Sequence, residues 1–514
     1  MELNIQRQPI AACELLLAAN AEHPIECDVL LPDACPDLVR VLSCQVTGTV
    51  TDASVRGGNF LVDGMATVTL CYLGEVGGMR KTEYRLPFSK TFELPAEAVD
   101  PVYRITVEQG YLNCRAVSRR RIDLRGTLLL GVRLYSTAER RAVCGAEGLG
   151  VQLRMSESSG VRVGDQTMRQ FSLREELTQA PGRLGCAELV RSDCRPIVQE
   201  CRIVAGRAVI KGELLLHLLY KTDLETGALE ASDYTLPISQ LLELDGADEA
   251  AQCEAELFCA QLECTPDPDA MPGEGRLLIE AQMTAMLRFF HPVELVGATD
   301  SYSTLYVTET QAQKLRIPKL LAAVSERAVV RAQVDAPDGL ESVIDVWVTP
   351  QKGTVRFSDG AMAAACQLQF TVLGRFADVG PDCFLHSSEA VVPLSISGAD
   401  AQTDFSPRFS VLSASAGLTG ASLQMTCELL VTGTALGFEV RSVITELTVD
   451  QSQPKPFDSA VGLMICYAKA GDRIWDISKR YGALPAQVMA DNGLTDETIA
   501  ENTVLLIPTA AQPV

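Results

Sequence analysis

The chain has 514 residues, of which 47% are hydrophobic and 21% charged, and a formal net charge of −22. This length exceeds a single hydrophobic core, so several domains are expected, and the composition excludes global disorder. The negative charge disfavours binding to nucleic acid or to an anionic membrane surface, because both are themselves negatively charged.

The N-terminal segment does not have the layout of a secretory signal peptide. It carries Glu2 and Glu14 and only a short apolar run, whereas a signal peptide places basic residues before a longer apolar stretch. No part of the sequence has the length and hydrophobicity of a membrane-spanning helix. The sequence therefore predicts a cytoplasmic protein without an integral membrane segment.

Two stretches of alternating apolar residues repeat the same pattern along the chain. Gly64 and Tyr72 of the first correspond to Gly212 and Tyr220 of the second, an offset of 148 residues. Each stretch is followed by a Tyr-x-Leu-Pro segment, YRLPFSKTFEL at 84–94 and YTLPISQLLEL at 234–244. The second segment is offset by 150 residues, and a nearly constant offset of this kind indicates an internal duplication.

A fainter third copy follows at 366–376 and 391–400. Period-two alternation predicts strands with one buried face, and short strands between Gly, Asp and Pro turns are typical of sandwiches or barrels. The fold class predicted is mainly β, with three tandem β-sandwich- or barrel-like repeat domains and a small C-terminal α+β (βααβ) domain. The repeat domains are placed at residues 1–145, 160–310 and 311–450.

The repeats contain no motif typical of catalysis. No Gly-rich phosphate loop, GxSxG or HExxH is present, and the four histidines are isolated. The 17 cysteines include no Cys-x-x-Cys pair, so we expect buried, reduced thiols rather than a metal site or a disulfide framework. His217 is expected to be a packed or edge histidine. No catalytic residue, cofactor or metal is predicted.

The C-terminal part differs from the rest of the chain. Residues 451–462 are polar, contain two prolines, and predict a linker. Residues 463–509 predict the order strand, helix, helix, strand, with strands at 463–468 and 503–507. The apolar positions of the first helix are Ile474, Ile477 and Tyr481, with Trp475 beside them.

Local signals predict the ends of both helices. Asp472 is placed to cap the first helix, and Gly482 to end it in the left-handed conformation. Pro485 suits the first turn of the second helix, and Asn492-Gly493 would end it. From these residues alone, a small capping domain without a ligand remains possible.

The C-terminal segment also resembles a LysM module. The resemblance rests on AGD at 470–472, WDI at 475–477, YG at 481–482, NGL at 492–494 and LIP at 506–508. LysM modules typically bind N-acetylglucosamine polymers in a shallow groove between two loops. The loops that the resemblance implies as walls of this groove are residues 471–474 and 492–498. The groove residues are Gly471, Asp472, Arg473, Ile474, Asn492, Gly493, Leu494 and Thr495.

Two positions depart from the LysM pattern. Arg473 replaces a small hydroxyl residue, and 501–503 replace the usual Pro-Gly-Gln. A guanidinium in the groove is better suited to a carboxylate on a protein than to a sugar. The segment is therefore expected to dock a protein, with peptidoglycan or a chitooligosaccharide as the alternative ligand.

The upstream repeats resemble SPOCS domains. Three such repeats followed by one LysM module resemble the SipL-type spore-coat morphogenesis proteins of clostridia. The resemblance implies a non-enzymatic scaffold for spore coat assembly in the mother-cell cytoplasm, at the forespore surface. Its partner would be the morphogenetic ATPase of the coat basement. The alternatives are a cell-wall glycan-binding protein and, third, a wall hydrolase, for which no paired carboxylates can be nominated.

Overall fold

The computed structural model describes residues 3–11, 14–76, 78–96, 98, 101–136, 139–178, 186–244, 248–267, 275–456 and 461–508. These residues form 22 strands and two short helices, both helices near the C-terminus. The predicted fold class, mainly β with a small helix-containing C-terminal domain, is confirmed. None of the helices in the described part of the chain has the length and hydrophobicity needed to cross a membrane.

The first unit consists of two three-stranded antiparallel sheets. Their strand orders are β2-β7-β6 and β3-β4-β5. The strands of the second sheet follow one another in sequence, so this sheet is a simple meander. Along the chain they lie between the first and the second strand of the other sheet. The strands are β2 (Glu14–Leu30), β3 (Leu38–Arg56), β4 (Asn59–Gly74), β5 (Met79–Glu93), β6 (Val102–Ala116) and β7 (Arg121–Ser136), while β1 (Asn4–Ala11) and β8 (Glu139–Glu147) pair separately.

The second unit has the same strand order, with sheets β9-β14-β13 and β10-β11-β12. Its strands are β9 (Val151–Thr178), β10 (Glu188–Val204), β11 (Arg207–Lys221), β12 (Leu229–Glu243), β13 (Gln252–Pro266) and β14 (Arg276–Ser303).

The third unit repeats the order again, with sheets β15-β20-β19 and β16-β17-β18. This recurrence is compatible with the predicted tandem repeat. The strands are β15 (Tyr306–Asp335), β16 (Leu340–Ser358), β17 (Ala361–Phe376), β18 (Gly380–Leu394), β19 (Arg408–Thr419) and β20 (Ser422–Pro454).

The limits of the units differ from those placed on the sequence. Residue 160 lies inside β9, which begins at Val151, and residue 311 lies inside β15, which begins at Tyr306. The expected linker at 451–462 is also shorter. Strand β20 continues to Pro454, which is aligned with Tyr306 at the end of the ladder, where a residue without an N–H is tolerated.

Each unit has its own hydrophobic core between its two sheets. Leu130, Leu216 and Phe370 are fully buried in the first, second and third core respectively. Burial of one such side chain contributes about 1.5–3 kcal/mol. Aliphatic side chains dominate the three cores, which agrees with the low aromatic content of 5%.

Gly64 and Gly212, the glycines that marked the repeat, occupy the same place in β4 and β11. Each lies opposite a β-bulge in the preceding strand. A Cβ atom would lie 2.6 Å from the carbonyl oxygen of Thr49 at Gly64, and 2.1 Å from that of Ile197 at Gly212. The duplication therefore preserves a close backbone approach that only glycine allows.

Beyond the units, long strands pair as three two-stranded ribbons, which we call the three-ribbon bundle. A common apolar cluster joins them, with Ile10 from the first ribbon, Leu295 from the second and Val443 from the third. The ribbons are β1 with β8, residues 151–160 with 293–303, and residues 306–317 with 439–454.

The meander sheets of the three units also meet one another. Their shared apolar cluster includes Met79 from the first unit, Leu219 from the second and Trp347 from the third. Arg191 stacks 4.2 Å above the Trp347 ring and donates a 2.8 Å hydrogen bond to Gln45. All three units are thus joined in one contact region.

Candidate functional site

The C-terminal module has the predicted order of elements. Strand β21 (Leu463–Ala468) pairs antiparallel with β22 (Thr503–Pro508), and α1 (Ile474–Tyr481) and α2 (Pro485–Asp491) lie between them in sequence. The apolar stripe of α1 packs into the core, where Ile474 and Ile477 meet Val488 and Leu505. A small hydrophobic core therefore holds the two helices on one side of the two-stranded sheet.

The helix ends follow the sequence signals with one exception. Gly482 caps α1 in the left-handed conformation at φ 66°, and Pro485 is the first residue of α2, both as predicted. The prediction that Asp472 caps α1 is wrong, because the helix begins later and Arg473 holds the cap position. The Asp472 carboxylate instead accepts a 2.9 Å hydrogen bond from the backbone N–H of Lys469 and closes the preceding turn.

The two loops expected to form the groove lie side by side. Gly471 donates a backbone hydrogen bond to Ile499, Ile499 donates one back to Asp472, and Ile474 donates one to Glu497, each 2.8 Å long. A β-bridge between Arg473 and Thr498 completes this contact. The structure thus brings both predicted segments together at one edge of the module.

The predicted groove residues differ in what they present to solvent. Gly471, Asp472, Arg473, Gly493 and Thr495 are exposed. Ile474 is completely buried in the core, and Leu494 packs at the periphery of that core. The Ile474 side chain is therefore not available to a ligand.

Asn492 is committed to the module itself. Its side-chain amide donates to the carbonyl oxygens of Val488, at 2.8 Å, and Leu506, at 2.7 Å. Its side-chain oxygen accepts a 2.7 Å hydrogen bond from the backbone N–H of Leu506. These bonds join the end of α2 to β22, so the residue stabilises the loop whose backbone forms one wall of the groove.

The sheet of the module presents an apolar face to solvent, which the LysM motif residues do not predict. Tyr467 is 82% exposed and Ile465 60%, and the paired residues Val504 and Leu506 are 50% and 40% exposed. The signal was present in the sequence, because LMICYA has apolar residues at every position and so makes both strand faces apolar. We call Leu463, Ile465, Tyr467, Val504 and Leu506 the outer face.

The helical side of the module rests on the end of β14. Trp475 is 8% exposed and donates a 2.8 Å hydrogen bond from its indole Nε1 to Asp300. Its ring lies edge-on to Tyr302, with centroids 5.0 Å apart, and the Tyr302 hydroxyl donates a 2.7 Å bond to the carbonyl oxygen of Ala483. Lys479 adds a 2.5 Å hydrogen bond to Asp300. We call this contact the seat.

The seat also affects the charge of Asp300. Burial raises the pKa of its carboxyl, but the hydrogen bonds from Lys479 and Trp475 outweigh burial, so the pKa is lowered overall. Asp300 therefore remains an anion that accepts hydrogen bonds from both Trp475 and Lys479 of α1.

Comparison with known families matches two parts of the chain. Residues 468–508 match the family model described as the LysM domain. The C-terminal module is a LysM domain. Residues 187–267 match the family model described as SipL, SPOCS domain, and this match covers β10 to β13 of the second unit. No curated protein and no solved structure gives a significant match.

The SPOCS match concerns the second unit, whereas the first and third units share its strand order. That all three are SPOCS domains stays a prediction. A SPOCS domain and a LysM domain in one chain indicate a protein connected with sporulation.

A cavity of about 500 Å³ lies where the SPOCS domain meets the other two units. Most of its wall is apolar. At its edge lies a network of buried charges, in which Glu254 contacts guanidinium groups from all three units. Its partners are Arg104 of β6 at 3.3 Å, Arg288 of β14 at 3.0 Å and Arg408 of β19 at 3.4 Å.

The charges in this network keep Glu254 ionised. Burial raises the pKa of its carboxyl, but the three guanidinium groups together outweigh burial and hold the pKa at about 2. Glu256 belongs to the same network, and its carboxylate lies 2.7 Å from a guanidinium nitrogen of Arg408. Because these pairs connect three units, the network holds the units together.

His217 lies at another contact between units, on the central strand β11 and not at an edge. The side chain is packed, as expected, and both ring nitrogens face carboxylates: Nδ1 lies 2.7 Å from Asp233 and Nε2 lies 2.9 Å from Asp345 of the third unit. Burial lowers the pKa of His217, but the hydrogen bonds to the two aspartates outweigh burial and raise it to about 10. The residue is therefore a structural cation.

The charge of His217 makes the free energy of unfolding depend on pH. The folded pKa of His217 lies above its unfolded value of about 6.5. The stabilisation that its charge provides is therefore fully present below about pH 6.5. The contribution is lost as pH rises towards about 10. We expect the free energy of unfolding to fall by a few kcal/mol between pH 7 and 10 in urea titrations. His217→Gln should be less stable at pH 7 and should show a smaller fall. Equal slopes for the two proteins would contradict the assignment.

Proposed function

We propose that this protein is a non-enzymatic adaptor in spore coat assembly. The β-rich units form the scaffold, and the LysM domain docks the morphogenetic ATPase of the coat basement. The proposed location is the mother-cell cytoplasm, at the forespore surface. The SPOCS and LysM matches support a sporulation role, and the geometry of the LysM domain supports a protein as its partner.

The outer face is the observation that carries this proposal. Five large apolar side chains form one continuous surface, in which Ile465 stands opposite Leu506 and Tyr467 opposite Val504. The outer face carries one polar side-chain group, the Tyr467 hydroxyl, so it offers few hydrogen-bond partners to the many hydroxyl groups of a sugar chain. Contiguous exposed apolar surfaces of soluble proteins are typical of protein interfaces.

Two further features support a protein partner. Arg473 is exposed and makes no ion pair with any residue that the structure describes, so its guanidinium is available to a carboxylate. The seat fixes the helical side of the domain to β14. The outer face therefore projects from a rigid support, which lowers the entropic cost of binding.

The test is binding of the full-length chain to purified coat-basement ATPase. Tyr467→Asp places a charge in the centre of the outer face and is expected to weaken binding about 30-fold or more, the effect of losing one strong interface residue. Because Tyr467 is 82% exposed, the variant should keep its fold, which circular dichroism would verify.

The matched control is Leu224→Asp. Leu224 is 58% exposed in the second unit, far from the LysM domain in sequence, and this variant should bind like the wild type. Unchanged binding by Tyr467→Asp, or an equal loss with Leu224→Asp, would reject the outer face as the docking surface.

Peptidoglycan or chitooligosaccharide binding is the second candidate function, and the LysM match favours it. The exposed backbone at Gly471 and Gly493 would then contact the sugar. Sedimentation with insoluble peptidoglycan separates the two candidates. Retention on peptidoglycan without measurable ATPase binding would replace the adaptor proposal with a cell-wall role.

A further inference from the structure

Cysteines pair across the opening between the two sheets of the second unit. Strands β10 and β13 are edge strands of different sheets, and they run beside each other. The Sγ atoms of Cys201 and Cys253 lie 2.8 Å apart. Farther along the same two strands, Cys194 and Cys259 both pack against the core of this unit, and each shifts the pKa of the other. The two strands thus carry two facing thiol pairs.

A β-bulge makes this arrangement possible. Cys253 and Cys259 are six residues apart, an even spacing that places both on one face of β13. Cys194 and Cys201 are seven residues apart, which would place them on opposite faces of a regular strand. The bulge between Val198 and Glu200 adds one residue to β10, so its two thiols return to the same face.

The first unit repeats one of these pairs. Cys44 of β3 and Cys114 of β6 both pack against the core of the first unit, and these neighbouring strands hold the same positions there as β10 and β13 in the second unit. Thiol pairing across the opening is therefore not confined to one place in the molecule.

The Cys201–Cys253 pair is reachable and does not belong to a metal site. Cys201 and Cys253 line a cavity of about 380 Å³, and both are half-buried rather than buried as the sequence suggested. No group of His, Cys, Asp and Glu side chains in the described part of the chain could hold a metal ion. Two facing thiols without a metal have one common chemistry, which is oxidation to a disulfide.

We propose that the two thiol pairs of the second unit are modification sites, at which a low-molecular-weight disulfide converts each pair to a protein disulfide that joins β10 to β13. The first unit's pair would react in the same way.

The reaction begins at the more acidic thiol of a pair. In the Cys194–Cys259 pair, the neighbouring Cys194 lowers the pKa of Cys259, which supplies the attacking thiolate. It attacks one sulfur of the small disulfide, whose S–S bond breaks, and one thiolate leaves and takes up a proton. Cys194 then loses its proton and attacks the Cys259 sulfur, which expels the second thiol. Two protein thiols are oxidised, and one small disulfide is reduced to two thiols.

The experiment uses the full chain, first reduced and then incubated with oxidised glutathione. Peptide mapping by mass spectrometry without reduction should find Cys194 linked to Cys259 and Cys201 linked to Cys253, each link lowering the mass by about 2 Da. Cys253→Ser should lose the second link and keep the first. Cys186→Ser, a half-buried cysteine of the same unit, should keep both.

Thermal unfolding supplies an independent readout. The oxidised wild type should unfold at a higher temperature than the reduced form, and Cys253→Ser should show a smaller difference. Stable glutathione adducts without internal links, or links scrambled among other cysteines, would overturn the proposal. So would recovery of only free thiols after oxidation.

Discussion

Replacing Glu254 by glutamine is expected to lower the free energy of unfolding by about 3–5 kcal/mol, the effect of breaking a buried ion network by removing one partner. Glu254 is 10% exposed and contacts Arg104, Arg288 and Arg408, which come from three different units. Without its charge, buried guanidinium groups lose their main counterion. Urea unfolding at pH 7, followed by tryptophan fluorescence, measures the change.

The matched control is Glu280→Gln on the neighbouring strand. Glu280 pairs with Arg174 at 2.8 Å, but the pair is exposed, so a loss of about 0.5 kcal/mol or less is expected. The pH dependence gives a second check. Because the folded pKa of Glu254 is depressed to about 2, its stabilisation is fully present above the unfolded pKa and is lost as pH falls from there through the folded value of about 2. A variant as stable as the wild type would contradict the role of the network.

Replacing Asp300 by alanine should release the LysM domain from its seat without unfolding it. The indole N–H of Trp475 would lose its acceptor, and Lys479 would lose its ion pair. Removing an acceptor from a buried donor costs about 1–3 kcal/mol. Asp300 lies outside the LysM core, so the domain itself should keep its structure.

Nuclear magnetic resonance of the two tryptophan indole N–H groups measures this release. Trp475 should exchange with solvent faster in Asp300→Ala, whereas Trp347, which lies between the units, should be unchanged. Asp300→Asn keeps an acceptor oxygen and should show an intermediate effect. If Trp475 stays protected in Asp300→Ala, the hydrogen bonds to Asp300 do not hold the domain.

Local patterns predicted much of the fold. Alternation predicted the strands, and Gly482 and Pro485 marked helix ends because their backbone preferences act within a few residues. The seat was not predictable in this way. Trp475 and its acceptor Asp300 are 175 residues apart, and nothing in either segment identifies the other. The charge network around Glu254 was missed for the same reason, since its arginines lie on separate strands.

The candidate site was predicted in outline. The motif located both loops that meet in the LysM domain, but it could not show that Ile474 is buried or that Asn492 is bound to β22. Asp472 was assigned as a cap because its position before the helix suits one. In the structure the cap position falls one residue later, at Arg473, and the Asp472 carboxylate closes the preceding turn.

The three-ribbon bundle makes the order of synthesis important for assembly. Its third ribbon needs residues 439–454, which leave the ribosome only after all three units have been made. Before then, Val443 and Ile444 are missing from clusters that also contain Ile10 of β1 and Val143 of β8. The support for the LysM seat is thus finished late. Because the LysM domain at 468–508 follows these residues, every chain that contains the domain also contains the ribbon that completes its support.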